Sequence, residues 1–98
     1  MGYYIQGPHR GKVQMLLQEE KATILPGVEA AKQAFSEGMG VICVVDNGPF
    51  EAAAFAFSRG EIEEFAYPDD RPKTWVAIDL KRAMELANFP KDRYEGPK

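Results

Sequence analysis

Residues 41–57 read VICVVDNGPFEAAAFAF, and the conformation of this stretch decides the fold class of the chain. Its first half, together with Gly40, predicts a strand, because five consecutive apolar residues are typical of a strand covered on both faces in a parallel sheet. Its second half is ambiguous. Three consecutive alanines favour a helix over 50–58, with Pro49 in the first turn and Glu51 near the positive end of the helix dipole. The Asn47-Gly48 pair instead signals a hairpin.

Strands and helices are predicted to alternate on either side of this stretch. The apolar spacing predicts strands at 3–6, 22–25, 40–46 and 74–78, and helices at 9–21, 28–36, 58–65 and 80–88. With a helix at 50–58, this order predicts an α/β fold with a small, mainly parallel sheet of about four strands flanked by helices. A hairpin at 41–57 would give an α+β fold with a mixed sheet instead.

Local signals support several of the helix ends. Ser58 and Glu61 have the spacing of a capping box, and Asp79 is the expected cap of the last helix. Gly38 follows the helix at 28–36, where a glycine is favoured. We therefore assign residues 1–90 to a single domain and 91–98 to a flexible C-terminal tail.

Composition narrows the classes of function. The formal charge of −3 gives no reason to expect a nucleic acid or an anionic membrane as partner, whereas a basic protein surface is compatible with it. No apolar run exceeds six residues and the first residues lack a signal peptide, so we expect a cytoplasmic protein. With His9 as the single histidine and Cys43 as the single cysteine, no metal site or cofactor is predicted, and Cys43 is interpreted as a buried apolar residue.

The first candidate site follows the first strand. Backbone N–H groups at a helix start, with basic side chains beside them, suit an anion such as phosphate or carboxylate. The residues proposed to bind the ligand here are Gly7, Pro8, His9, Arg10 and Lys12. They do not form a P-loop, because only three residues separate the two glycines and valine follows the lysine. The alternative is a tight turn with a solvated basic rim.

The second candidate site lies around the turn at 46–51. Asp46 and Glu51 could supply one ionised nucleophile or base and one carboxyl group that orients it, with Asn47 and Gly48 as further ligand-binding residues. The alternative is that Asp46 or Asn47 caps a helix whose dipole favours Glu51. If the strands at 3–6 and 40–46 are parallel neighbours, both candidate turns emerge at one carboxyl edge, where open α/β sheets bind ligands.

Residues 4–8, with the block from Val41 to Ala53, resemble the nucleoside 2-deoxyribosyltransferase-like families. Those families open with a strand that ends in Gly-Pro, followed later by an apolar strand, an Asp-x-Gly turn and a helix that bears the catalytic glutamate. The resemblance implies that Glu51 attacks the anomeric carbon of a nucleoside, with Asp46 as its acidic neighbour and Gly7-Pro8 near the sugar or base. The Asp-to-Glu spacing is one residue shorter than in these families.

The block at 41–53 and the later residues 71–75 are also similar to small proteins encoded by tailed bacteriophages that have no assigned activity. This second resemblance implies expression in a bacterial host cytoplasm and a role in modulating host machinery.

Three functional hypotheses follow from the sequence. The first is an accessory protein that binds a host or phage protein. The second is an enzyme that binds a nucleotide-like ligand and cleaves or transfers an N-glycosidic bond, with Glu51 as nucleophile. The third is a self-associating protein with a sensing or structural role and no chemistry.

Overall fold

A computed structural model describes residues 3–7, 21–47, 50–66 and 73–96, with nine elements of secondary structure. The strands are β1 (Tyr3–Gly7), β2 (Thr23–Leu25), β3 (Gly40–Asn47), β4 (Phe50–Ala56) and β5 (Lys73–Ile78). The helices are α1 (Val28–Ser36), α2 (Arg59–Ala66) and α3 (Leu80–Ala87), followed by a 3₁₀ turn at Lys91–Arg93. The helix predicted at 9–21 falls almost wholly outside the described residues.

The stretch at 41–57 forms a β-hairpin. Strands β3 and β4 pair antiparallel, in a register that runs from Val41 opposite Ala56 to Asn47 opposite Phe50. The helix expected at 50–58 is therefore wrong, and so is the mainly parallel α/β fold built on it. The sheet has the order β1-β4-β3-β5-β2, and every neighbouring pair is antiparallel. The fold is α+β, as the hairpin alternative required, although the sheet is fully antiparallel rather than mixed.

The position of β4 in the sheet explains why the alanine run does not form a helix. Strand β4 lies between β1 and β3, so its backbone groups find partners on both sides. Helix propensities differ among ordinary residues by less than about 0.7 kcal/mol per residue, and tertiary pairing readily overrides such a preference. Alternation along β4 also places Phe55 in the core on one face of the sheet and Ala56 in the core on the other.

Two apolar clusters cover the two faces of the sheet. One cluster joins alternate residues of β3, β4 and β5 to α3, with these buried members: Ile42, Val44, Ala53, Phe55, Phe57, Val76, Ile78, Ala83 and Met84. The other joins the intervening positions to α1 and α2, with these buried members: Ala31, Ala34, Phe35, Val41, Cys43, Ala56, Ile62, Trp75 and Ala77. Coverage of β3 on both faces is therefore confirmed. Its apolar run reflects a central antiparallel strand between two helical layers.

The predicted helix ends are confirmed. After α1, Gly38 has φ +89°, and the Gly38 and Met39 amides donate to the Phe35 and Ala34 carbonyls, which is a Schellman arrangement. At α2, the Glu61 amide donates to Ser58 Oγ, and the Glu61 carboxylate accepts from the Phe57 amide. At α3, the Asp79 carboxylate accepts from the Arg82 amide at 3.2 Å.

The chain after α3 packs back on the domain. The ring of Phe89 stacks on Phe57 with 4.2 Å between centroids. Tyr94, within the segment expected to be a flexible tail, contacts both apolar clusters, whereas its neighbours in the 3₁₀ turn are exposed. The mobility of 91–98 stays a prediction. None of the helices described is both long and apolar enough to cross a membrane.

A close approach of α3 to β3 makes Gly40 sensitive to substitution. A Cβ atom on Gly40 would lie 2.5 Å from the Ala83 Cβ. We expect Gly40→Ala to lower the free energy of unfolding by about 1–3 kcal/mol through overpacking, measured by urea denaturation. Adding Ala83→Gly should restore part of the loss, although this glycine itself costs about 1 kcal/mol in a helix.

Gly60→Ala is the matched control, because a Cβ there meets only Ser58 Oγ at 3.9 Å. It should stabilise α2 slightly, since alanine is the better helix former. If the stability lost in the double variant equals the sum of the losses in the two single variants, the contact with α3 is not the cause.

Candidate functional site

The sheet register brings three predicted site residues into one row. Gly7 lies opposite Glu51 across β1 and β4, and Glu51 lies opposite Asp46 across β4 and β3. Since neighbouring strands are roughly 4.8 Å apart, the backbones at Gly7 and Asp46 are separated by about 10 Å across β4. The row lies one position from the Asn47–Phe50 pair, which is the last pair of the β3–β4 ladder before the hairpin turn.

The strands that carry this row differ from the predicted arrangement. Strands β1 and β3 run in the same direction, because each is antiparallel to β4. Their carboxyl ends therefore lie at one edge of the sheet, but β4 separates them and they are not parallel neighbours. Glu51 lies in a strand rather than in the first turn of a helix. Capping of a helix at 50–58 by Asp46 or Asn47 is therefore wrong.

The register has a direct electrostatic consequence for the two acidic positions. Directly opposite positions in an antiparallel pair have Cβ atoms roughly 4.5–5.5 Å apart, and like charges there destabilise the sheet. Two carboxyl groups on neighbouring positions can divide the roles of acid and base between them. Asp46 opposite Glu51 is thus a backbone arrangement compatible with paired carboxyl chemistry.

The remaining predicted ligand-binding residues, Pro8, His9, Arg10, Lys12 and Gly48, lie outside the described residues. The register therefore places only Gly7 of the first candidate site beside the second. Across the ranges that the structure describes, no group of three or more histidine, cysteine, aspartate or glutamate residues could hold a metal ion.

The structure confirms the interpretation of Cys43 as a buried apolar residue. Its side chain is fully buried on β3 beneath α1 and α2. Burial raises the pKa of the thiol to about 11, although the nearby Lys73 cation lowers it in part. Because the thiolate is the nucleophilic form, the native thiol is unreactive at neutral pH. Lys73 itself donates from Nζ to the Ala66 carbonyl at 3.3 Å, at the negative end of α2.

An acidic surface that the sequence analysis missed lies on the α1–α2 layer. We call its exposed carboxylates, Glu29, Glu37, Glu63 and Glu64, the acidic helix face. Side-chain exposure is 86% for Glu29 and 63% for Glu63. Segments 28–37 and 59–66 together carry a formal charge of −3, which equals the charge of the whole chain.

Packing of α1 against α2 joins the two halves of this surface. Lys32 Nζ lies 3.4 Å from a Glu63 carboxylate oxygen across the helix pair and 3.9 Å from Glu29 on its own helix. The contact shows that Lys32 and Glu63, 31 residues apart in the chain, lie on one surface. The signal in the sequence was the lack of a basic residue in the last turn of either helix, but only tertiary packing makes the surface continuous.

Part of the acidic helix face lies where a carboxylate is electrostatically unfavourable. Glu37 is the C-terminal cap residue of α1, and Glu64 lies in the last turn of α2. The negative end of the helix dipole disfavours an anion at such positions by about 0.3–1 kcal/mol. Violations of a local rule of this kind are concentrated at functional positions.

Comparison with known proteins finds no matching family model, no matching curated protein and no matching solved structure. The two resemblances described above therefore stay predictions.

The raised pKa of Cys43 predicts a specific pH dependence of stability. The folded thiol keeps its proton to about pH 11, whereas the unfolded thiol loses it near its ordinary value of 9.0. Between these values the unfolded state binds fewer protons, so the contribution of Cys43 to stability falls as pH rises, by up to about 1.4 kcal/mol per pH unit. Below pH 9 this contribution is fully present.

Cys43→Ala is the control, because other groups titrate in the same window in both proteins. We expect urea denaturation at pH 8 to 11 to show a steeper loss of stability for the natural protein than for the variant. Parallel curves would contradict the assigned pKa.

Proposed function

We propose that this protein is a small accessory domain that binds another protein, and that the acidic helix face contacts a basic surface of that partner. In keeping with the resemblance to phage-encoded proteins, the partner belongs to the bacterial host or to the phage, and binding takes place in the host cytoplasm. The observation that carries the proposal is the location of the net charge, which resides in the α1–α2 layer.

The helix dipole does not account for two of these carboxylates. Glu37 and Glu64 are exposed near the ends of α1 and α2 where lysine would be favoured. The Glu37 carboxylate also accepts a hydrogen bond from Gln33 Nε2 at 3.1 Å, and both carboxylates remain exposed to a partner. Charge complementarity between surfaces accelerates encounter and suppresses wrong partners, and its contribution decreases with salt.

We expect the double variant Glu37→Lys, Glu64→Lys to lose partner binding while the domain becomes slightly more stable. The gain in stability should be about 0.3–1 kcal/mol per helix, because each lysine complements the negative helix end. Binding is measured with the immobilised protein in bacterial lysate, followed by titration of the recovered partner at 50 and 300 mM salt. The natural protein should retain a stoichiometric partner that weakens with salt.

The matched control is Asp92→Lys, Glu95→Lys, which makes the same change in charge at exposed positions outside the acidic helix face. This control should retain the partner. Equal losses in both double variants would show a general effect of net charge and would overturn the assignment to the acidic helix face. Retention of the partner by the Glu37/Glu64 variant would do the same.

A second candidate function rests on the row formed by Gly7, Glu51 and Asp46. In this function a nucleoside binds at the carboxyl ends of β1 and β3, and the Glu51 carboxylate attacks the anomeric carbon. The N-glycosidic bond breaks with its electron pair on the base, which takes a proton from solvent and leaves. Water or an acceptor base then cleaves the glycosyl–Glu51 ester and frees the carboxylate. Asp46 lies at the directly opposite register position, which is why we propose it as the acidic neighbour of the nucleophile.

Incubation with a panel of nucleosides and nucleotides tests this candidate. We expect base release, followed by chromatography, that Glu51→Gln lowers at least about a hundredfold, since a carboxamide is a poor nucleophile. Glu63→Gln is the matched control and should leave the rate unchanged. Absence of release from the natural protein, or equal release by the Glu51 variant, would eliminate the enzyme.

A further inference from the structure

Tyr94 holds the C-terminal segment against the domain. It packs against both apolar clusters, which lie on opposite faces of the sheet. Its ring meets Phe35 of α1 edge-to-face, with 6.4 Å between centroids and 75° between planes. The flanking residues Lys91 to Arg93 and Glu95 are exposed, so this segment is anchored through one side chain.

The environment of the Tyr94 hydroxyl group is unusual. Its hydroxyl group is buried and has no hydrogen-bond partner among the residues that the structure describes, although the residue as a whole is half-buried. A buried tyrosine hydroxyl ordinarily finds a partner. Burial also raises the pKa of this phenol above its ordinary value. The anchor therefore carries a cost that a phenylalanine at the same position would avoid.

The cost applies only while the segment is docked. When Tyr94 leaves the domain, water hydrogen-bonds its hydroxyl, so the unsatisfied group lowers the free energy needed for release. The local bonds of the segment are two turn contacts, from the Arg93 amide to the Pro90 carbonyl and from the Tyr94 amide to the Lys91 carbonyl. Neither bond joins it to the sheet or to a helix.

We propose that residues 90–96 form a strap that opens reversibly while the sheet stays folded, and that opening uncovers Phe35 on α1. The buried hydroxyl of Tyr94 keeps the docked strap weak enough to open. Phe35 is fully buried in the closed state, where the Tyr94 ring is one of its contacts. In the open state its edge becomes an apolar contact position on a helix that also bears the acidic helix face. The strap does not depend on the proposed binding function, because its opening is measured on the isolated protein.

Amide hydrogen exchange of the full chain, measured by NMR over a series of low urea concentrations, tests the strap. The Arg93 and Tyr94 amides should exchange through an opening with a shallow dependence on urea, since little surface is exposed. The Ile42 and Val76 amides in the central strands should show the steep dependence of global unfolding. The Phe89 amide, which donates to the Met84 carbonyl just before the strap, should follow the central strands.

Tyr94→Phe removes the unsatisfied hydroxyl and keeps the ring. We expect it to slow exchange of the Arg93 and Tyr94-position amides about tenfold. Equal urea dependence for the strap and the central strands would show that the segment is an integral part of the domain, and would overturn the proposal. Unchanged exchange in Tyr94→Phe would show that the hydroxyl does not set the strength of docking, with the same consequence.

Discussion

Antiparallel pairing of β3 with β4 is the interaction on which the rest of the structure depends. It pairs one hydrogen-bonding edge of β3 with β4, so that no parallel strand can pair at that edge. Strand β1 then pairs with the far edge of β4. With β5 on the other edge of β3, the apolar run 41–45 becomes the centre of a five-stranded sheet. Each helix then has a defined sheet face to cover.

The sheet separates two kinds of surface. Helix α3 approaches β3 so closely that Gly40 faces Ala83 without room for another methyl group. On the opposite face, α1 and α2 bury Phe35 and Ile62 and turn their carboxylates outward. The net charge of the chain is thereby concentrated in the α1–α2 layer. A basic partner would approach that layer with electrostatic guidance, whereas the row at Gly7, Glu51 and Asp46 lies at a strand end within the sheet.

The hairpin also changes what the two acidic residues of the turn can do. On a helix, Glu51 would be stabilised by the dipole and Asp46 by capping, so both would have structural explanations. In the hairpin those explanations vanish, and two residues of like charge lie at directly opposite positions. On the acidic helix face, Glu37 and Glu64 lie at C-terminal helix ends, where the helix dipole disfavours an anion.

Local signals alone specified the parts of the fold that depend on a few neighbouring residues. Helix ends are marked by Gly38, the Ser58–Glu61 box and Asp79, because capping is a contact within one turn. The apolar run 41–45 indicates burial on both faces, because successive side chains of a strand point to opposite faces. Tertiary structure decided whether 50–56 is helix or strand, because intrinsic preferences of tenths of a kcal/mol per residue are smaller than the pairing and packing available between β1 and β3. It also decided which charges share a surface and that Tyr94 is packed, since both depend on contacts between residues far apart in the chain.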